Sequence, residues 1–246
     1  MVVRAGLPII LAHRAYRDGC DPASENSLTA VEVCLRQGWG VEIDIRRSDD
    51  GQFYVSHDRT DHSDLNDAGI FCCAIRDLAR VPVALNVKEL GYERELLDLL
   101  ARNQLLAKVF LFDMELIEET PGEAAHLFRC LSSEVQVAVR VSDRREPVNR
   151  VLQPGMPKIV WLDEFDSLWV TREDIEALKL GSKRIYVISP EIHGFAEEQM
   201  MQRWRDFSEW GVDGICTDYP ARLDACLGSG TFEVPSVPGD KPPVSS

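Results

Sequence analysis

The sequence predicts an α/β chain folded as a (β/α)₈ TIM barrel with a short insertion after its second strand. Three observations predict it. Short apolar runs of strand character alternate with amphipathic stretches of helical period over roughly 220 residues, which is what such a barrel needs. At 246 residues and 45% hydrophobic content, the chain can bury a sizeable core. A doubly wound open sheet, the competing fold, usually carries a glycine-rich phosphate loop after its first strand. Here that place holds His13-Arg14-Ala15-Tyr16-Arg17.

The expected strands are Ile9–His13, Val41–Arg46, Val83–Lys88, Val109–Asp113, Gln136–Val141, Ile159–Asp163, Ile185–Ser189 and Gly214–Thr217. Each is a short apolar run followed by a polar residue at or just past its end. Helical periodicity marks Ser27–Gln37, Tyr92–Arg102, Ile117–Ser132, Arg172–Leu180 and Ala196–Trp210. Asp49-Asp50-Gly51 is a turn signal, and Gln52–His57 after it reads as a hairpin-like piece, the insertion after strand 2. The stretch 143–157 has weaker helical character and is expected to be short or irregular. Residues 1–227 form the predicted barrel. Residues 228–246, rich in Gly, Pro and Ser, form an expected tail with little fixed structure.

The charge balance narrows the function. Asp and Glu number 41 against 27 Lys and Arg, for a formal net charge of -14. An acidic surface repels nucleic acid and anionic membranes, so neither is the expected partner. It does not exclude a small anionic substrate held by local cations. No apolar run approaches the roughly 20 residues that span a bilayer, and Met1–Ile10 lacks a secretion signal. The seven cysteines are scattered without a C-x-x-C pair, as expected of reduced thiols in a cytoplasmic protein. Oligomeric state has no signature.

Chemistry concentrates at the strand ends, where barrels of this kind place their active sites. In Gly40-Val41-Glu42-Ile43-Asp44-Ile45-Arg46 the three aliphatic residues share one face of a strand and Glu42 and Asp44 the other. Two acids side by side on an apolar strand repel each other and lose hydration. A bound cation is the simplest reason for the arrangement. An internal salt-bridge set with Arg14 and Lys88, without an ion, is the plainer alternative. His13, Lys88, Asp113, Asp163 and Glu191 also lie at or just past strand ends.

Four stretches make the chain resemble the glycerophosphodiester phosphodiesterase family. They are His13-Arg14 followed by Glu25-Asn26-Ser27, then Glu42-Ile43-Asp44, then Asp50–Asp58 ending in Ser56-His57-Asp58, and last Gly211–Pro220. The resemblance implies the same barrel and metal-dependent cleavage of a small phosphodiester to a phosphomonoester and an alcohol. By position it implies His13 and His57 as the acid–base pair and Glu42 and Asp44 as metal ligands. His57 serves as a ligand in some members. Arg14 and Lys88 would face phosphate oxygens, and Glu25 would lie near the site. Mg²⁺ or Ca²⁺ suits the oxygen ligands, and Mn²⁺ is also compatible.

The chain departs from the family pattern in three places. Ala15 replaces a glycine, and Pro22 is displaced from its usual position just before the Glu-Asn pair. Asn86 stands where a third acidic ligand is implied, two residues before Lys88. Its amide oxygen can ligate a hard cation but brings no charge, so recruitment of Asp113 or Glu191 is a further option. Two other functions remain open: a Schiff-base lyase using Lys88, and a barrel that binds a phosphorylated ligand without turning it over. A lipid phosphodiesterase like sphingomyelinase D is disfavoured, because such enzymes are secreted and disulfide-stabilised. His62, His126 and His193 are expected to be satisfied structural histidines, and Glu25 alternatively favours the helix start through the dipole.

Overall fold

A computed structural model of the chain describes residues 6–232. Nine strands form one sheet in the order β1-β9-β8-β7-β6-β5-β4-β2-β3, and pairing of β1 with β2 closes it. The parallel strands are β1 (Ile9–Ala12), β2 (Gly40–Arg47), β4 (Val83–Val87), β5 (Val109–Phe112), β6 (Gln136–Ser142), β7 (Ile159–Asp163), β8 (Arg184–Ile188) and β9 (Gly214–Thr217). They make a closed (β/α)₈ barrel, as the alternation predicted. The insertion is β3 (Phe53–Val55), which runs antiparallel on β2 outside the closed ring.

Strand residues divide by parity. Val41, Ile43, Ile45, Leu85, Val139, Leu162, Val187 and Ile215 point outward into one large core beneath the helices. Leu11, Ala84, Phe110, Phe112, Trp161, Tyr186 and Cys216 fill the barrel interior. Phe112 and Trp161 lie with ring centroids 4.0 Å apart. Gly214 has to lack a side chain: a Cβ there would lie 2.5 Å from the Tyr186 ring. The interior is therefore plugged, and what is free for chemistry is the rim above it.

The helices α1 (Leu28–Gln37), α3 (Glu93–Arg102), α6 (Arg172–Leu180) and α7 (Glu197–Trp210) match the periodicity. Ser27 caps α1 by accepting from the Ala30 N–H, and Gly38 ends it at φ 88°. Four features differ from expectation. The helix expected over 117–132 is shortened to α4 (Glu123–Leu131), preceded by a 3₁₀ turn at Met114–Leu116, because Pro121 and Gly122 (φ 90°) intervene. A helix α2 (Ala68–Leu78) was not foreseen. Asp67 caps it, and it buries Ala68, Phe71, Cys72, Ala74 and Ile75 while Cys73 and Asp77 face outward. A single turn, α5 (Val148–Val151), lies in the stretch expected to be short or irregular. The last helix, α8 (Pro220–Ser229), was not foreseen either; it runs two residues past the predicted barrel boundary, and Phe232 beyond it packs on the core. The predicted tail from residue 233 onward lies outside the described residues.

Candidate active site

The mouth of the barrel at the C-terminal ends of β1, β2, β4 and β9 carries most of the predicted residues. His13 opens a 3₁₀ turn directly after β1, and its Nδ1 lies 2.6 Å from Asp218 Oδ1. Burial tends to raise the Asp218 pKa, but the hydrogen bond and charge of His13 outweigh it and hold the carboxyl below its ordinary value. Asp218 is thus an anion, Nδ1 carries the proton it accepts, and Nε2 is left to act. That atom faces Glu42 Oε2 at 3.9 Å. Burial lowers the His13 pKa, yet the hydrogen bond to Asp218 and the charges of Glu42 and Asp218 turn the net shift upward from 6.5.

Glu42 and Asp44 point into the barrel and are almost wholly buried. Their environments differ. Asp44 accepts from Lys88 Nζ at 2.8 Å and from Asn26 Nδ2 at 2.8 Å, with Arg14 Nε 3.9 Å away. Burial opposes ionisation of Asp44, but these partners, Lys88 first, keep its pKa low. Glu42 accepts one backbone N–H, from Arg14 at 3.0 Å. Burial and the neighbouring Asp44 charge push it up to about 7. The mouth therefore holds one compensated carboxylate and one that lacks a full counter-charge.

Arg14 and Glu25 belong to the same cluster. Arg14 donates through Nη1 to Glu25 Oε1 at 3.0 Å, and the Tyr16 hydroxyl donates to Glu25 Oε2 at 2.8 Å. Glu25 precedes Ser27, the α1 cap, but its side chain orients Arg14 rather than the helix. The turn that does this is strained: Arg14 and Ala15 both have positive φ, 48° and 60°. Asn26, φ 51°, is locked to β2 by accepting the Asp44 N–H at 3.2 Å.

Two predicted residues sit less centrally. His57 follows β3, and the Ser56 N–H donates to the Asp44 carbonyl at 3.1 Å, which holds this segment beside the β2 end. The His57 ring itself is 33% exposed and meets Asp58 at 3.0 Å, so it stands on the rim. Asn86 lies across from Asp44 in register on β4, but its Nδ2 donates to Asp113 Oδ2 at 3.3 Å. Asp113 is also bound by Arg140, and burial pushes it up to about 6. Glu191 is occupied structurally: it accepts from the Thr217 hydroxyl at 2.5 Å and from the Asp218 N–H at 3.1 Å.

Can these residues hold a divalent ion? Among the described residues no group of three or more His, Cys, Asp or Glu is gathered for one. The donor chemistry nevertheless fits a small hard cation. Such ions commonly take one or two carboxylates, with water and substrate oxygens completing the shell. Glu42 and Asp44 supply the carboxylates, and the charge that Glu42 leaves unbalanced is what such a cation would offset.

Two groups at the mouth escaped sequence reading. Asp218, the partner of His13, lies inside a recognised stretch, but nothing in one sequence ties it to a residue 205 positions away. Arg140 is buried between Asp113 and Glu146. His193 is satisfied as expected: its Nε2 lies 2.5 Å from Asp163 Oδ1 on the far side of the rim. His62 and His126 lie away from these groups, bound to Asp67 and Cys130.

No family model and no curated protein matches the chain. Solved structures do. A glycerophosphodiester phosphodiesterase of Parabacteroides distasonis superposes with a TM-score of 0.71 and 19% identity, covering 100% of this chain and 90% of that one. Another from the same organism gives 0.70 and 16%, covering 92% and 98%. An Oleispira antarctica phosphodiesterase, solved with the product sn-glycerol-3-phosphate, gives 0.61 and 16%, covering 90% and 97%. At these identities the likeness establishes the fold. No helix among the described residues is long and apolar enough to cross a membrane, and the cysteines are free.

Proposed function

We propose that the protein hydrolyses a small phosphodiester, of glycerophosphodiester type, to a phosphomonoester and an alcohol. The observation that carries this reading is the His13–Asp218 pair, with Nε2 of His13 aimed at Glu42 beside the Lys88–Asp44–Arg14 cluster. The similarity in fold to solved phosphodiesterases supports it.

A phosphodiester is a stable anion. Cleavage needs its charge screened, a proton removed from the nucleophile and a proton given to the departing oxygen. Arg14 and Lys88 supply fixed positive charge for the nonbridging oxygens. Asp218 holds His13 in one tautomer, so His13 takes or gives a proton only at Nε2. His57 at the rim supplies the second proton transfer. Glu42 and Asp44 would hold a divalent ion, Mg²⁺, Ca²⁺ or Mn²⁺, which when bound supplies further charge neutralisation on the phosphate. The nucleophile is water or a neighbouring hydroxyl of the substrate.

Lys88 is engaged by Asp44 at 2.8 Å, which makes it a charge partner and disfavours the Schiff-base reading. The test is a panel of phosphodiesters incubated with each ion and with chelator. Monoester release that stops on chelation is expected. No release under any condition leaves a binding barrel, and release that ignores chelator removes the ion. Replacing His13 or His57 by Ala is expected to abolish most turnover. A folded His57→Ala protein of full activity would remove His57 from the scheme.

A further inference from the structure

The loop that follows the His13 turn is stitched to the chain that follows β9. The Gly19 N–H donates to the Asp218 carbonyl at 2.7 Å, and the Ala221 N–H reaches the Arg17 carbonyl at 3.4 Å. Gly19 has φ 101°, and a Cβ there would lie 3.1 Å from the Tyr219 ring. The backbone thus brings Cys20 against Asp218. The Cys20 thiol donates to Asp218 Oδ2 at 3.1 Å, while Oδ1 accepts from His13 Nδ1 at 2.6 Å.

Each oxygen of this carboxylate therefore has its own side-chain donor. Cys20 is the one on Oδ2 among the described residues. The Asp218 side chain is 7% exposed, so little solvent reaches it to replace a lost donor. A carboxylate held on one oxygen turns about its Cβ–Cγ bond, where the torsional preference is broad. Held on both, it keeps one plane, and that plane sets the direction of the His13 Nδ1–H. The backbone of Asp218 is fixed as well, by its N–H on Glu191 at 3.1 Å.

The thiol itself reports the contact. Burial first, then the hydrogen bond and charge of Asp218, push it up to about 11. Arg14 works in the opposite direction and Glu25 in the same one, so Cys20 stands within the field of the phosphate cluster. Cys20 is nevertheless an exposed residue, as are Cys73 on α2 and Cys130 on α4. We propose that Cys20 is a positioning residue for the acid–base pair: its S–H holds the Asp218 carboxylate in the plane from which that carboxylate orients His13. The catalytic part of this assignment rests on the phosphodiesterase reading.

The experiment has two arms. The first measures kcat and KM for a phosphodiester in the parent, Cys20→Ala, Cys20→Ser, Asp218→Asn and the double variant Cys20→Ala/Asp218→Asn. Cys20→Ala is expected to lower kcat about 3- to 10-fold with KM little changed. Cys20→Ser, whose hydroxyl donates from the same place, is expected to recover most of the loss. The double variant should be no worse than Asp218→Asn, because the thiol acts through that carboxylate. The second arm follows alkylation by iodoacetamide at pH 8, in which the thiolate displaces iodide to form an S–C bond, resolved by peptide mapping. The rate at Cys20 should rise several-fold in Asp218→Asn, while the rates at Cys73 and Cys130 stay as in the parent. An equal rate at Cys20 in both proteins overturns the proposal whatever the turnover. So does full kcat in Cys20→Ala, an equal loss in Cys20→Ser, or a double variant whose loss is the product of the single losses. If the parent cleaves no phosphodiester, the phosphodiesterase reading fails and the catalytic part of this assignment goes with it. Parent turnover that Cys20→Ala leaves unmoved defeats this assignment alone.

Discussion

At the residue scale, the candidate site was legible where local pattern carries the information and hidden where distant residues meet. Alternation on one strand was enough to pair Glu42 with Asp44, and the structure buries both. What it could not show was their inequality, which depends on Lys88, Asn26 and Arg14 arriving from other elements. Nor could it show Asp218, whose role yields the first prediction. Asp218→Asn retains an acceptor for the His13 Nδ1–H but removes the negative charge that stabilises the imidazolium. A drop of about 10²- to 10⁴-fold in kcat is expected. The pH limb governed by His13 should move downward, since Asp218 is among the causes of its raised pKa. An unaltered pH–rate profile would show that this carboxylate plays no part in the proton transfer. Asn86 supports a second prediction. Asn86→Asp sets a carboxylate across from Asp44 in register and against Asp113, to which the amide now donates at 3.3 Å. The variant should melt lower than the parent without metal and gain more from Mg²⁺ or Ca²⁺, as a third charge favours ion binding. Equal thermal shifts in the two proteins would count against an ion on Glu42 and Asp44.

At the element scale, the strands were readable because each is short, apolar and ended by a polar residue. Four helices were readable from their period. Helix α2 was missed although buried Phe71, Cys72 and Ile75 lie at helical spacing beside exposed Cys73 and Asp77, and α4 was overextended through Pro121 and Gly122. Helix α7 shows how an outer element supports the rim. Trp204 donates its indole N–H to the Ser189 hydroxyl at 2.7 Å, and Arg203 pairs with the buried Glu164 at 2.6 Å, at the base of the loop that carries Phe165. Burial, the largest influence, raises the Glu164 pKa despite Arg203. A raised carboxyl contributes its stability fully below the ordinary value near 4.5 and loses it as pH rises through the folded value. Removing Arg203 pushes that value further up. Arg203→Met should therefore cost about 3–5 kcal/mol at pH 8 and distinctly less at pH 5, because acid favours the neutral form of Glu164. Urea melts at the two pH values test this. A penalty independent of pH would mean that lost packing on Phe207 and Trp210, which the guanidinium overlies, is the whole effect.

At the scale of the whole molecule, the barrel followed from rhythm and length, and the filled interior separates its two rims. Aromatic rings occupy the axis, so no ligand passes through the barrel, and under the proposed function the substrate enters at the mouth that holds His13. The approach is governed by two opposed fields. The chain carries a formal net charge of -14, which repels an anionic diester at long range. Under the proposed function, Arg14 and Lys88 attract it only near the mouth, where Glu25 and Asp44 already offset much of their charge. The Debye length is about 30 Å at 0.01 M salt and about 8 Å at 0.15 M. Added salt thus screens the distant repulsion before it screens contacts of 3 to 4 Å. The expected outcome is that kcat/KM for an anionic phosphodiester rises several-fold between those ionic strengths through a falling KM, while kcat holds constant. A neutral phosphotriester, measured as a competing ligand, should show no such dependence. A steady fall of kcat/KM with salt would mean that the local cations outweigh the global charge, and that encounter is steered by the mouth from the first approach.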